Sequence, residues 1–428
     1  MASETTVPVS AETEEPGYGD LFATFGRIGC LSFGGPAAQI ALMEEELVTR
    51  RAWLTHDTFL RALSFCMLLP GPEAMQLATY AGWRLKGIWG GVLAGSLFVL
   101  PGAAVIFALA AAYIAYGDLP LIEQAFLGIQ ATVIIVVFGA LKKLASKALD
   151  GRNGITLAVL AFVAIFFIGL PFPLIILAAG AYGWMTAEAK TPTAASQVTA
   201  PRPATLAAWA ALWGLPIAAF WIVGATFLLT LSLFFAQLAV VTFGGAYAVL
   251  AYMTQAVVQD FGWISTDAMI DALGLAETTP GPLILVTQFV GILAGHAVGG
   301  WPLAIAAGLV TLWVTFIPCF LWIFAGAPYI ERLTENPRIA AALRAVTAAV
   351  VGVIANLSIW FAIHVFFADV SNMAFALTSL PLPDLGSVRF NALLLAGFAA
   401  ALMLWRGLSI LPTLGLTTVA ALILALAG

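Results

Sequence analysis

Two helix-breaking strings, Phe33-Gly34-Gly35 and Pro70-Gly71-Pro72, recur 210 positions later as Phe243-Gly244-Gly245 and Pro280-Gly281-Pro282. Each can present backbone N–H groups that a continuous helix would consume. Proline suits the first turn of a helix, so half-helices are expected to start at Pro72 and Pro282. They would aim unpaired N–H groups and a positive dipole end at whatever lies before them. Gly34-Gly35 and Gly244-Gly245 permit close backbone approach and nest-like N–H arrays. The guest that suits such ends is an anion. Small residues can instead serve only close helix packing, but the repetition of both strings together favours the site.

Side chains near the breaks extend the candidate site. Arg27 lies seven residues before Gly34, on about the same helix face, and Arg84 lies a few turns past Pro72. Either could pair with an oxyanion; the alternatives are a cap near the tail for Arg27 and an interfacial anchor for Arg84. Gln76, Gln288, Thr278 and Thr279 offer neutral hydrogen bonds, although hydroxyls at helix ends often serve as caps. Glu73 follows the first Pro-Gly-Pro and Glu277 precedes the second. A carboxylate beside an anion site repels the anion when ionised, so both are candidates for coupling transport to protons; a dipole-stabilising role at the helix start is the alternative for Glu73.

The elements that must hold these residues are set by composition. The chain is 62% hydrophobic and 9% charged over 428 residues, with a mean hydropathy of +1.02, which is the membrane class. A spanning helix needs about 20 apolar residues. Val92–Tyr113, Thr132–Leu141, Leu206–Leu231, Ala304–Ala325, Val346–Phe367 and Leu408–Ala427 lie in or form such stretches. Long unbroken runs exclude a β-barrel. The fold expected is an all-α polytopic membrane protein, and irregular backbone at membrane depth survives only inside protein or along a water-filled cavity.

Charge placement suggests orientation, because Lys and Arg in short loops stay cytoplasmic. The first copy carries Arg50, Arg51, Arg61, Arg84 and Lys86, whereas no Lys or Arg lies between Arg202 and Arg332. The two repeats are therefore expected to be inverted, with interrupted or re-entrant helices, a known build of secondary transporters in which one half rocks against the other. The expected segments are a disordered acidic cytoplasmic tail at 1–20, an N-terminal repeat at 21–187, a polar linker at 188–204, a connecting transmembrane helix at 205–229 and a C-terminal repeat at 230–428. Turns are expected at Gly117-Asp118-Leu119-Pro120, at Pro171 and Pro173, around Asp369 and Asp384, and at Arg406-Gly407.

Several functions are disfavoured. Net charge is −5, and the tail accounts for it, so no nucleic-acid partner is implied. No basic start followed by an apolar run marks a secretory signal. Cys30, Cys66 and Cys319 are far apart, and His56, His296 and His364 are isolated, so neither a disulfide framework nor a metal site is expected. No cofactor is expected. The GxxxxGK[ST] string of ATP-driven machines is missing, and no nucleophile or paired carboxylate is arranged for catalysis.

At its repeats the chain resembles the chromate ion transporter family in its long two-domain form. The strings are Ser32-Phe33-Gly34-Gly35-Pro36 and Leu69-Pro70-Gly71-Pro72 with Gln76-Leu77-Ala78, then Thr242-Phe243-Gly244-Gly245-Ala246-Tyr247-Ala248-Val249-Leu250 and Leu275-Ala276-Glu277-Thr278-Thr279-Pro280-Gly281-Pro282-Leu283-Ile284. The resemblance covers roughly residues 20 to 420. It implies a multi-pass protein of a bacterial-type inner membrane that moves chromate outward, is coupled to protons and confers chromate resistance; a homodimer is compatible with it. Chromate is a tetrahedral dianion like sulfate, so a transporter of sulfate or another oxyanion, or an anion channel, remains the alternative. Ala246 stands where the first copy has Pro36, so the two breaks need not have equal roles.

Overall fold

The computed structural model describes residues 16–117, 119–187, 203–243, 246–334, 336–375 and 378–427. Gly244, Gly245, Asp118, residues 1–15 of the expected tail and residues 188–202 of the expected linker lie outside the described residues; helix already begins at Tyr18, inside the segment expected to be disordered, and at Pro203, inside the expected linker. The first copy begins with α1 (Tyr18–Leu31), α2 (Gly35–Glu44, extended by a π turn over Glu45–Arg50) and α3 (His56–Cys66). It continues with the helical stretch α4 (Glu73–Tyr116), α5 (Pro120–Ala148), α6 (Gly151–Val163) and α7 (Phe172–Thr186). After α8 (Pro203–Val223), the second copy repeats the plan: α9 (Thr226–Val241), α10 (Ala246–Thr254, with a π turn over Gln255–Asp260) and α11 (Thr266–Glu277). There follow α12 (Val286–Gly326), α13 (Ile330–Thr334), α14 (Pro337–Phe366), α15 (Phe390–Ala400) and α16 (Ile410–Ala427).

Six helical stretches among the described residues are long and apolar enough to cross a membrane. The helices beside the breaks are not: α1, α3 and α11 have 14, 11 and 12 residues, or about 17 to 21 Å at 1.5 Å per residue, against a hydrocarbon core of about 30 Å. Two expectations need correction. The connecting helix stops at Val223 rather than 229, because Gly224 turns the chain at φ +75 before α9. The loop holding Asp369 and Asp384 contains a small antiparallel hairpin, β1 (Val370–Phe375) with β2 (Thr378–Pro383), in an otherwise helical chain.

Both long stretches fold back on themselves. Helical geometry fails at Lys86 (φ −139, ψ 29) and Gly87 (φ 64, ψ −157), and in nearly the same way at Gly299 (φ −153, ψ 25) and Gly300 (φ 66, ψ −161). The second residue of each pair has a left-handed φ, which glycine adopts without steric cost. Beyond the turn the chain returns along itself: Gly82 lies against the Gly90 carbonyl, and a Cβ on Gly295 would sit 2.6 Å from the Leu303 oxygen. A short leg thus runs from each Pro-Gly-Pro break to the turn, and a long leg, residues 88–116 or 301–326, runs back.

The copies interlock. Helix α5 of the first copy packs against α15 and α16 of the second, and α14 of the second packs against α6 and α7 of the first. Buried Thr132 and Thr417 share a hydrogen bond of 2.7 Å across the α5–α16 seam. The repeat also extends to the helix caps, since Thr55 accepts from the Thr58 N–H at 3.2 Å and Ser265 from the Ala268 N–H at 3.1 Å. Thr55→Ala and Ser265→Ala are each expected to cost about 1 kcal/mol, read as a lowered unfolding midpoint of the purified protein. An unchanged midpoint in both would show that tertiary packing alone sets these helix ends.

Candidate functional site

The two Pro-Gly-Pro turns reach across to the opposite copies. The Gly71 N–H donates to the Thr242 carbonyl and the Gly281 N–H to the Ser32 carbonyl, each at 2.9 Å. Each Pro-Gly-Pro turn is therefore tied to the residue just before the Phe-Gly-Gly of the other copy. Gly71 and Gly281 have φ of +113 and +87, backbone that an L side chain rarely adopts. Behind each turn lies the long leg of the opposite hairpin: Gly102 and Phe98 of α4 back Pro280-Gly281, and Cys319 of α12 backs Gly71.

A cleft at this crossing is lined by Pro36, Gln39, Gly71, Pro72, Glu73, Ala74, Thr242, Pro282, Leu283 and Ile284. Two helical starts face it. Helix α4 begins at Glu73 behind Pro72, without a side-chain cap, and a 3-10 turn over Leu283–Leu285 leads into α12 behind Pro282. The prolines are thus caps rather than first helical residues. Two helical starts thus border one cleft, and uncapped helix starts carry the dipole and N–H character that favours an anion. The cleft holds about 10 Å³, room for roughly one water.

Of the sequence candidates, Gly71, Pro72, Glu73 and Pro282 line the cleft, and Pro70, Pro280 and Gly281 complete the turns. Gln76 is fully buried and supports the first turn by donating its Nε2 to the Pro70 carbonyl at 2.7 Å. Gly34 and Gly35 have consecutive left-handed φ of +86 and +77, ahead of Pro36 and Gln39 in the cleft wall. The hydroxyls of Thr278 and Thr279 are taken by the Leu275 and Ala276 carbonyls at 2.7 and 2.9 Å, so they close α11 as caps. Glu277 is buried beside the second turn and accepts from the Tyr247 hydroxyl at 2.7 Å. Gln288 is packed inside the α12 hairpin, away from the cleft lining.

The two arginines are not drawn in. Arg27 is 52% exposed and lies 3.8 Å from Glu46, a buried carboxylate that Arg50 and Arg51 also contact. Arg84 is exposed next to the Lys86-Gly87 turn, eleven residues and so about 16 Å along the helix from Glu73. Sequence reasoning missed Gln39, whose Nε2 donates to Gly281 O at 2.6 Å and Ser32 O at 3.2 Å. A glutamine within Ala37-Ala38-Gln39-Ile40-Ala41-Leu42, one turn past a break, was the available signal.

Long apolar helices, paired fold-back hairpins and two Pro-Gly-Pro turns bordering one cleft define a polytopic α-helical membrane protein of transporter build. The chain belongs to the chromate transporter family, which it matches over residues 19–184 and 229–427. It is similar to the chromate transport protein of Pseudomonas aeruginosa, 35% identical over 341 residues, covering 79% of this chain and 79% of that one. A probable chromate transport protein of Synechococcus elongatus is 32% identical over 78% of this chain and 81% of its own. The chromate transport protein of Cupriavidus metallidurans is 31% identical over 78% and 80% respectively. No solved structure matches the chain.

Proposed function

We propose that this chain exports chromate across the plasma membrane as a proton-coupled secondary transporter, with chromate resistance as the consequence. The observation that carries the reading is the crossed pair of hydrogen bonds, Gly71 to Thr242 and Gly281 to Ser32, which sets two helix starts on one cleft. A tetrahedral dianion would bind there against backbone N–H groups of the first turn of α4 and of the Leu283–Leu285 turn. The Glu73 carboxylate at the cleft edge repels a dianion when ionised and ceases to when protonated. Glu277, held by Tyr247 beside the second turn, is the second candidate for this exchange.

The copies are proposed to be inverted, with the tail on the cytoplasmic side. Arg61 of α3 lies near Tyr80 on the short leg of α4, whereas Asp271 of α11 is bound by Tyr113 at the far end of the long leg. Equivalent positions of α3 and α11 thus sit toward opposite ends of the α4 hairpin, in accord with the Lys and Arg asymmetry. Because the halves interlock through α5 and α14, the moving unit is proposed to be the break-bearing core against the bundle of α5, α6, α7, α14, α15 and α16.

Chromate uptake into everted vesicles tests this. An imposed proton gradient is expected to drive accumulation, about tenfold per pH unit and coupled proton, with sulfate competing weakly. Robust sulfate movement without chromate flux would sink the substrate. Chromate flux indifferent to collapse of the gradient would sink the coupling and favour a channel.

A further inference from the structure

Helices α3 and α11 are counterparts, yet they differ in charge at one position. Asp57 and Asp267 match across the repeat, but one turn further in α3 carries Arg61 and α11 carries Asp271. Asp57 and Arg61 pair in the open, with side chains 70% and 55% exposed. Asp271 instead is 5% exposed. The Tyr113 hydroxyl donates to its Oδ2 at 3.0 Å and the Gln130 Nε2 to its Oδ1 at 2.7 Å. Among the described residues no Lys, Arg or His lies within ion-pair distance of it.

The surroundings of this carboxylate are neutral on nearly every side. On α4 its neighbour is Tyr113, and on α5 the uncharged Gln130. On α11 itself Asp267 lies one turn nearer the helix start and is exposed. His364 of α14 feels the Asp267 charge but pairs with the Trp360 carbonyl, and α12 turns Phe289 onto the Tyr113 ring at 5.5 Å. A buried carboxylate with hydrogen bonds but no cation is costly when ionised, and such groups are often functional. Its donors lie on both sides of the proposed moving boundary, since α4 and α11 belong to the break-bearing core and α5 to the surrounding bundle.

We infer that Asp271 is a proton-binding site of the transport cycle and a latch between core and bundle. Ionised, it accepts from both Tyr113 and Gln130 and holds α5 against the core. A proton taken up from water on the Asp267 side converts one acceptor oxygen into a hydroxyl donor, so the two charge-assisted bonds become weaker neutral ones, one of them with its donor reversed, and the bundle is released; loss of the proton restores it. This inference rests on the proton-coupled reading above.

The test uses the full chain in liposomes with chromate as probe. Wild type is measured first for gradient-driven accumulation, and indifference to the gradient would overturn the coupling reading itself. Given a responsive wild type, D271N is expected to lose gradient-driven accumulation at least about tenfold while keeping counterflow of labelled chromate within about twofold. Y113F, which removes one donor to the ionised form, is expected to move the pH midpoint of transport upward. D271N with wild-type accumulation and pH profile would overturn the assignment. So would loss of both accumulation and counterflow in D271N alongside an unmoved midpoint in Y113F, the pattern of a merely structural residue.

Discussion

Replacing Gly102 by valine is expected to reduce chromate flux by about fivefold to a hundredfold. Gly102 lies on the long leg of α4, where an added Cβ would run into the Pro280 carbonyl oxygen and come within 2.6 Å of the Leu285 side chain. The obstacle is backbone, so a rotamer change cannot relieve it. Overpacking a fitted interior costs about 1 to 3 kcal/mol, and every 1.4 kcal/mol is about tenfold in an equilibrium. Here the strain falls on the turn that tethers Ser32 through the Gly281 N–H, so it should appear in the site before it appears in the fold. The check is initial chromate flux per inserted protein, with the unfolding midpoint measured beside it. Gly102→Ala should be intermediate. Wild-type flux in Gly102→Val would mean that this contact does not position the cleft.

The breaks, the repeat and about half of the helix ends were legible because each depends on local chemistry. Proline and glycine mark the turns at Pro171 and at Arg406-Gly407, and α6–α7 and α15–α16 fold as hairpins there. The fold-back inside α4 and α12 was not legible. The turn is built from Lys86-Gly87 in one copy and Gly299-Gly300 in the other, a spacing of 213 rather than 210, displaced by the three-residue turn Leu283–Leu285. A register fixed on the Pro-Gly-Pro strings therefore misses it. Arg27 and Arg84 were chosen for their charge, but charge in an apolar chain marks the membrane boundary as readily as a site. Gln39 was missed for the opposite reason, since its counterpart is Val249 and reading by repetition passes over what is not repeated.

The crossed packing changes how motion can occur. Two lobes corresponding to the sequence halves would rock about the linker, but α5 is bound by α15 and α16, and α14 by α6 and α7. Separating the halves would break both seams, including the buried Thr132–Thr417 bond. A boundary between the break-bearing core and this six-helix bundle leaves both seams intact. The two long fold-back hairpins would then move as rigid carriers of the break turns, which keeps the crossed hydrogen bonds together while the cleft changes its exposure.

Within that core, Gln39→Leu is expected to lower chromate transport by about tenfold to a hundredfold. Gln39 is 2% exposed, and its amide reaches the carbonyls of both Ser32 and Gly281. Ser32 O also receives the Gly281 N–H, so after the substitution it keeps a partner while Gly281 O loses its side-chain donor. A buried acceptor stripped of its partner costs about 1 to 3 kcal/mol, and leucine fills nearly the same space, so packing is conserved while the clamp is lost. Gln39→Asn, one methylene short of the span, should fail in the same way, whereas a pure volume effect would spare it less than leucine. Both variants should raise the chromate concentration for half-maximal flux more than they lower the maximal rate, because the clamp fixes the ground-state shape of the cleft. Half-maximal concentrations within twofold of wild type in both would remove Gln39 from the site.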